Sequence, residues 1–147
     1  MAALAWKVYN RAKESIGDNT IDMDAAIFHI ALFKSSSNCN NLSLTGYGSL
    51  TNEVNNGNGY VTTGMSLTNY TWAEGTSAKA IQFDSTAQVW TAASGSIASI
   101  QYAVIYQSGG AEDLLCFSSL SSGIFSVTDT NTLTITPHNG SGIFEMV

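Results

Sequence analysis

The sequence predicts an all-β fold, an antiparallel β-sandwich of jelly-roll kind behind a short N-terminal helix. Three observations carry that expectation. Read as a strand, Ile97–Gln107 is apolar on both faces, with Ile100, Tyr102, Val104 and Tyr106 on one side and Ala103 and Ile105 on the other. Such a strand has to be covered on both sides. From Tyr60 onward, short alternating or β-branched runs recur between turn residues, about eight strands in all, which is the spacing of a sandwich or jelly roll. A helical period occurs only in residues 3–16, where Trp6, Tyr9, Ala12 or Lys13, and Ile16 recur at three-to-four spacing.

In chain order, that helix stops at Gly17, and Asp18-Asn19 form a turn. A helix this short is marginal alone in water, so it needs a surface to cover. The run Ile21–Phe33 then holds a second strand apolar on both faces, with Phe28, Ile30 and Leu32 opposite Ile27, His29, Ala31 and Phe33. It is the natural neighbour of Ile97–Gln107. Residues 34–59 are rich in Ser, Asn and Gly, with Leu42, Leu44, Tyr47, Leu50 and Val54 spread among them. A connection of that length in a compact domain is functional or mobile as a rule, and its apolar residues predict one pinned to the body, with a helical turn near Thr45–Val54.

Beyond it, the apolar positions in Met65–Trp72 change parity between Leu67 and Tyr70, the pattern of a bulge. Alternation resumes at Lys79, Ile81 and Phe83 and at Gln88–Thr91. Leu114–Phe117 follows, then a hairpin-like pair, Phe125–Thr128 and Thr132–Thr136, around Asp129-Thr130-Asn131. Pro137 and Gly140-Ser141-Gly142 precede a closing strand, Ile143–Val147. The chain divides on this reading into a helical arm, 1–17, and a sandwich domain, 18–147.

At 147 residues the chain is long enough for one domain with a real core. Its hydrophobic share of 44% is ordinary, whereas its charged share of 11% is less than half the usual one, and Ser, Thr, Asn and Gly fill the difference. A net charge of −6 argues against nucleic acid, because neutralising phosphates needs clustered Lys and Arg. Lys7, Arg11 and Lys13 supply three of the five basic residues, so a basic leading segment precedes an acidic body. Cys39 and Cys116 match no metal-ligand or redox spacing and read as free thiols, with a disulfide only in an oxidising compartment. The start lacks the order of a signal peptide and no run approaches a membrane span, so the expected product is soluble and made in a cytoplasm.

Chemistry is sparse. His29 sits in a strand and His138 in a loop, and Gly46-Tyr-Gly-Ser-Leu fails the nucleophile-elbow pattern. Asp18, Asn19, Asp22 and Asp24 crowd one turn, but the glycine and glutamate of a calcium loop are missing, and turn formation accounts for them. Asp22 and Asp24 are too close on one strand to flank a sugar as a glycosidase pair. Gly57-Asn-Gly59 has no following lysine or helix start, so it is no phosphate loop. Trp72, Trp90, Tyr47 and Tyr60 are the candidates for a carbohydrate platform, with core packing the alternative for both tryptophans. The residues specify no metal site, cofactor or catalytic set. They suit a protein that binds or builds.

The order of short motifs along the chain carries a resemblance. Trp6-Lys7-Val8-Tyr9-Asn10-Arg11-Ala12-Lys13-Glu14 leads to Ile21-Asp22-Met23-Asp24 and Ile30-Ala31-Leu32-Phe33. Leu50-Thr51-Asn52-Glu53-Val54, Gly57-Asn58-Gly59-Tyr60, Tyr102-Ala103-Val104-Ile105-Tyr106 and Gly142-Ile143-Phe144 follow. In this order the chain resembles small virion structural proteins of tailed bacteriophages, of the capsid cement or head-decoration kind. The resemblance implies a non-enzymatic β-sandwich on the phage head, made in the host bacterial cytoplasm. Its partners would be the major capsid protein and copies of itself as a dimer or trimer, with no cofactor, nucleic acid or membrane.

A tail or fibre component that binds a host receptor or glycan is the alternative, and a small hydrolase built on His29 or His138 with a carboxylate is a third reading. Docking is expected to lie in the arm, with Trp6 and Tyr9 as anchors and Lys7, Arg11 and Lys13 giving orientation. Removing residues 1–17 would then leave a folded body.

Overall fold

The computed structural model describes residues 3–75, 80–136 and 142–147. Its elements begin with β1 (Lys7–Val8), α1 (Asn10–Gly17) and β2 (Phe28–Phe33), followed by a 3-10 turn at Tyr47–Ser49. Next come β3 (Met65–Ser66), β4 (Thr71–Glu74), β5 (Ile81–Asp84), β6 (Gln88–Thr91) and β7 (Ile97–Ile100). The chain continues with β8 (Tyr102–Gln107), β9 (Leu114–Ser119), β10 (Phe125–Val127), β11 (Thr132–Ile135) and β12 (Phe144–Met146). Every strand pairing among the described residues is antiparallel, and the fold is all-β with one short helix near the N-terminus.

The principal sheet has the order β1-β9-β8-β2-β3. Its register sets two adjacent rows, Ile30–Ile105–Cys116–Val8 and Ala31–Val104–Phe117–Lys7. Neighbouring rows point to opposite faces, so each row shows what one face must bury. Ile30, Ile105 and Cys116 are buried in the first row, and Ala31, Val104 and Phe117 in the second. On the first face Phe28 meets Phe83 of β5, with ring centroids 5.3 Å apart, and Ile30 and Ile105 share a cavity of about 10 Å³ with Ile135 of β11 and Ile143. On the second face Tyr9 lies against Phe117, and Tyr47 stacks on Tyr106 at 4.4 Å. The central strand is therefore covered on both sides, as its two apolar faces require.

Several details differ from the sequence expectation. Ile97–Gln107 is two strands, not one. The chain breaks at Gln101, whose N–H turns to the Phe33 carbonyl, so β7 leaves for a different sheet. Ile27 lies outside the strand and is 60% exposed. The parity change in Met65–Trp72 is no bulge. Asn69, at a φ of 47°, turns the chain from β3 in the principal sheet to β4 in another. The expected hairpin also separates: β10 pairs with β7 and β11 with β6, although Asn131 N–H still closes the turn onto Thr128 O. Lys79 and Pro137 lie outside the described residues.

The long connection is pinned as expected. Val54 is buried, its N–H donates to Leu32 O, and Leu114 N–H donates to Thr45 O. The leading segment is also pinned, which corrects the division at residue 17. Strand alternation in β1 sends Val8 to one face of the principal sheet and Lys7 to the other. On either side of β1, Trp6 lines the cavity beside Ile30 and Ile105, while Tyr9 covers Phe117. Residues 6–9 wrap the edge of the sheet, with Tyr9 in its core and Trp6 and Val8 partly buried against it.

Candidate functional site

The five residues expected to dock a partner divide by burial. Tyr9 is fully buried, and its hydroxyl donates to Cys39 O at 2.6 Å. Trp6 is half-buried, and its indole N–H finds no partner among the described residues. Neither is a free surface anchor, because the strand-like entry of the chain turns both inward before the helix begins. Lys7, Arg11 and Lys13 are exposed, with Arg11 paired to Glu14 at 2.8 Å. Lys13 also lines an open groove of about 290 Å³, in which Val8 and Ile16 face Phe144, Met146 and Glu145 of the closing strand. Helical spacing puts Lys13 and Ile16 on one side of α1. The groove was not legible from sequence, since its second wall comes from the far end of the chain.

A second constellation surrounds Glu53, which the sequence reading passed over. Its carboxylate accepts hydrogen bonds from the Tyr60 hydroxyl at 2.6 Å, the Thr63 N–H at 2.8 Å and the Tyr47 hydroxyl. Tyr60 in turn accepts from Leu32 N–H, and Tyr106 donates to Thr63 O at 2.8 Å. Thr63 is held at a φ of 80°, a strained value for a β-branched residue, by bonds on both its N–H and its carbonyl. Thus one carboxylate gathers two tyrosines and the Thr63 N–H, and the bonds of Tyr60 to Leu32 and of Tyr106 to Thr63 tie this cluster to the central sheet. Tyr60 and Trp90 are buried, and Trp72 packs against Phe144, so these rings are spent on packing and form no open sugar platform.

The tyrosines report on this arrangement through pH. Burial, opposed by the bond to Thr63 and helped by the charges of Glu112 and Glu53, pushes Tyr106 up to about 12. Burial first, then the bond to Glu53 and its charge, raises Tyr47 and Tyr60 further. The folded state favours the neutral phenols, so this contribution is complete below the ordinary phenol value of about 10 and is lost as pH rises through the folded value. Melting temperature should fall steeply between about pH 10 and 12, with phenolate absorbance appearing together with unfolding. Phenolate titrating near its ordinary value in a chain that stays folded would show these hydroxyls to be open to water.

His29 is half-buried in β2 opposite Ser66 of β3. Ser66 Oγ lies 3.2 Å from His29 Nε2, and Nδ1 faces Thr63 O at 3.4 Å. A carbonyl stands where a hydrolase would place the orienting carboxylate. Glu53 reaches that region only through the Thr63 backbone. His138 lies outside the described residues. Asp18 and Asp22 cap local turns, accepting from Thr20 N–H and from the N–H groups of Asp24 and Ala25. The hydroxyl and N–H of Thr20 hold Asp18 below the usual carboxylate range. Cys39 and Cys116 are buried free thiols, both raised by desolvation. No group of metal-ligating side chains occurs among the described residues, and no described helix is long and apolar enough to cross a membrane.

No protein-family model, characterised protein or solved structure matches the chain.

Proposed function

We propose that this chain is a structural virion protein that binds the outer surface of a bacteriophage capsid and stabilises the shell without chemistry of its own. Its partners in this reading are the major capsid protein and further copies of itself, and its sheets form a jelly-roll-like sandwich. The order of motifs from Trp6 to Phe144 suggests the class. One observation carries the mode of binding: the open groove between α1 and β12, apolar along Val8, Ile16 and Met146 and flanked by Lys13. Met146 is 44% exposed, so an apolar partner side chain seated there would remove it from water. The Lys13 ammonium would orient an acidic neighbour and contribute more to specificity than to affinity. A ligand that binds only the assembled shell stabilises that shell by mass action.

The test is sedimentation with shells that lack the protein. Lys13→Glu combined with Met146→Glu should weaken attachment at least about tenfold, equivalent to about 1.4 kcal/mol, and leave melting unchanged. Undiminished attachment would place docking elsewhere. Antibody labelling should decorate heads, and labelled tail tips would favour the receptor-binding alternative.

A further inference from the structure

A second pocket, of about 130 Å³, opens where the end of the long connection meets β7. Lys34, Asn55, Asn58, Ser96 and Ser99 supply its polar groups, beside the apolar side chain of Ile97. Lys34 is a rare cation in an acidic body. Only Lys79, outside the described residues, shares that distinction beyond the leading segment. Its ammonium donates to Asn55 Oδ1 at 2.8 Å and has no carboxylate partner among the described residues. An ammonium carries three hydrogens, so this one bond leaves capacity for a ligand. No carboxylate lines the pocket; Glu53 accepts from Tyr47, Tyr60 and Thr63, and Asp129 from Gly95 N–H.

The backbone around the pocket is built at a cost. Ser99 has a φ of 63° inside a strand, at a point where Ile97–Ile100 carries one more residue than its partner Phe125–Val127. That is a bulge with a serine in the left-handed region, where glycine fits more cheaply. Bulges re-aim side chains, and Ser99 is one of the residues that line the pocket. Its N–H is satisfied by Ser126 Oγ at 3.2 Å.

Asn58 is likewise left-handed, at a φ of 55°, between Gly57 and Gly59. Its side chain donates to Ser96 O, and its carbonyl accepts from Ala93 N–H. A Cβ on Gly59 would stand 2.0 Å from Thr91 O, so this loop is packed hard against the body and holds its shape without a ligand. A strained serine and a left-handed asparagine fixed at one concave site are the pattern of a preorganised binding site.

We infer that this pocket binds a small polyhydroxy acid, the class of an acidic sugar residue. Lys34 takes the carboxylate, and Ser96, Ser99 and Asn55 take hydroxyls. The site stands apart from the α1–β12 groove and holds whether or not the chain coats a shell. The experiment is amide chemical-shift titration of the full chain with glucuronate, glucose and acetate in parallel.

Glucuronate should shift Lys34, Ser96 and Ser99 saturably, acetate should bind at least tenfold more weakly, and glucose should not saturate. Lys34→Gln should weaken glucuronate at least tenfold. Ser99→Gly should weaken it severalfold without lowering the melting temperature, since it removes a hydroxyl and relieves a left-handed serine. A purely structural serine would not separate binding from stability in that way. Glucose binding as well as glucuronate, acetate matching glucuronate, no saturable shift, or unaltered binding by Ser99→Gly would each overturn the assignment.

Discussion

Deletion of residues 1–17 should leave a chain that no longer unfolds cooperatively. The segment supplies an edge strand to the principal sheet, through Lys7 opposite Phe117 and Val8 opposite Cys116, and its helix packs on β9. It also contributes Ala3, Tyr9 and Ala12 to the core, with Trp6, Val8 and Ile16 partly buried against it. Each large side chain fully removed from water contributes about 1.5–3 kcal/mol. Against a total stability of about 5–15 kcal/mol, losing this set together with the strand pairing removes most of the margin. The exposed faces of β9 and Phe117 would add an aggregation-prone edge.

Tyr9→Ala isolates the largest single contribution. A buried aromatic cut to alanine costs about 3–5 kcal/mol. Tyr9→Phe keeps the ring but leaves Cys39 O without its donor, a loss of about 1–3 kcal/mol. Denaturant midpoints should therefore order as parent, Tyr9→Phe, Tyr9→Ala, with the deletion showing no sigmoidal transition. A truncated chain that melts as sharply as the parent would restore the picture of a detachable arm.

That picture arose from a real ambiguity in the residues. Trp6 and Tyr9 are three apart, which fits one helix face, but a two-residue strand between them sends their side chains to opposite faces of a sheet. Only the presence of the β9 edge decides between the two, and that edge lies more than a hundred residues away. The central strands were legible because β2 and β8 are apolar on both faces and no other placement buries them. The break at Gln101 was not, since it depends on a hydrogen bond to Phe33 O across the sheet. The turn at Asp129-Thr130-Asn131 shows in its residue types, whereas the choice of β7 and β6 as partners for its two arms is a long-range matter.

Candidate sites were the least legible part. Glu53 and Lys34 lie in or beside an amide-rich connection, where a lone charge looks like solvated surface. Their surroundings come from Thr63, Tyr106 and β7, which no local pattern announces. The α1–β12 groove joins the two ends of the described chain and so has no local signature at all.

Val104→Asp should prevent folding to the native state. Val104 lies at the middle of the row Ala31–Val104–Phe117, fully buried, with Ala31 equally buried on one side and Phe117 5% exposed on the other. The backbone of β8 is engaged by β2 on one edge and β9 on the other, so the ladders offer no spare N–H groups to a new carboxylate. An ion placed there carries an effective penalty of several kcal/mol, and a protonated acid still lacks partners. Either form also forfeits the packing of the valine.

Val104→Ala provides the control. It removes methyl groups without adding a polar one, and should lower stability by about 1–3 kcal/mol while keeping a single sharp transition. The aspartate variant should instead be insoluble or lack a cooperative melt at neutral pH. Any residual folding should improve in acid, because burial raises the folded pKa of the aspartate, and the stabilisation is present below its unfolded value of about 3.9 and lost as pH rises through the folded one. A soluble Val104→Asp chain with a denaturant midpoint close to that of Val104→Ala would show that β8 is not enclosed by the rest of the fold.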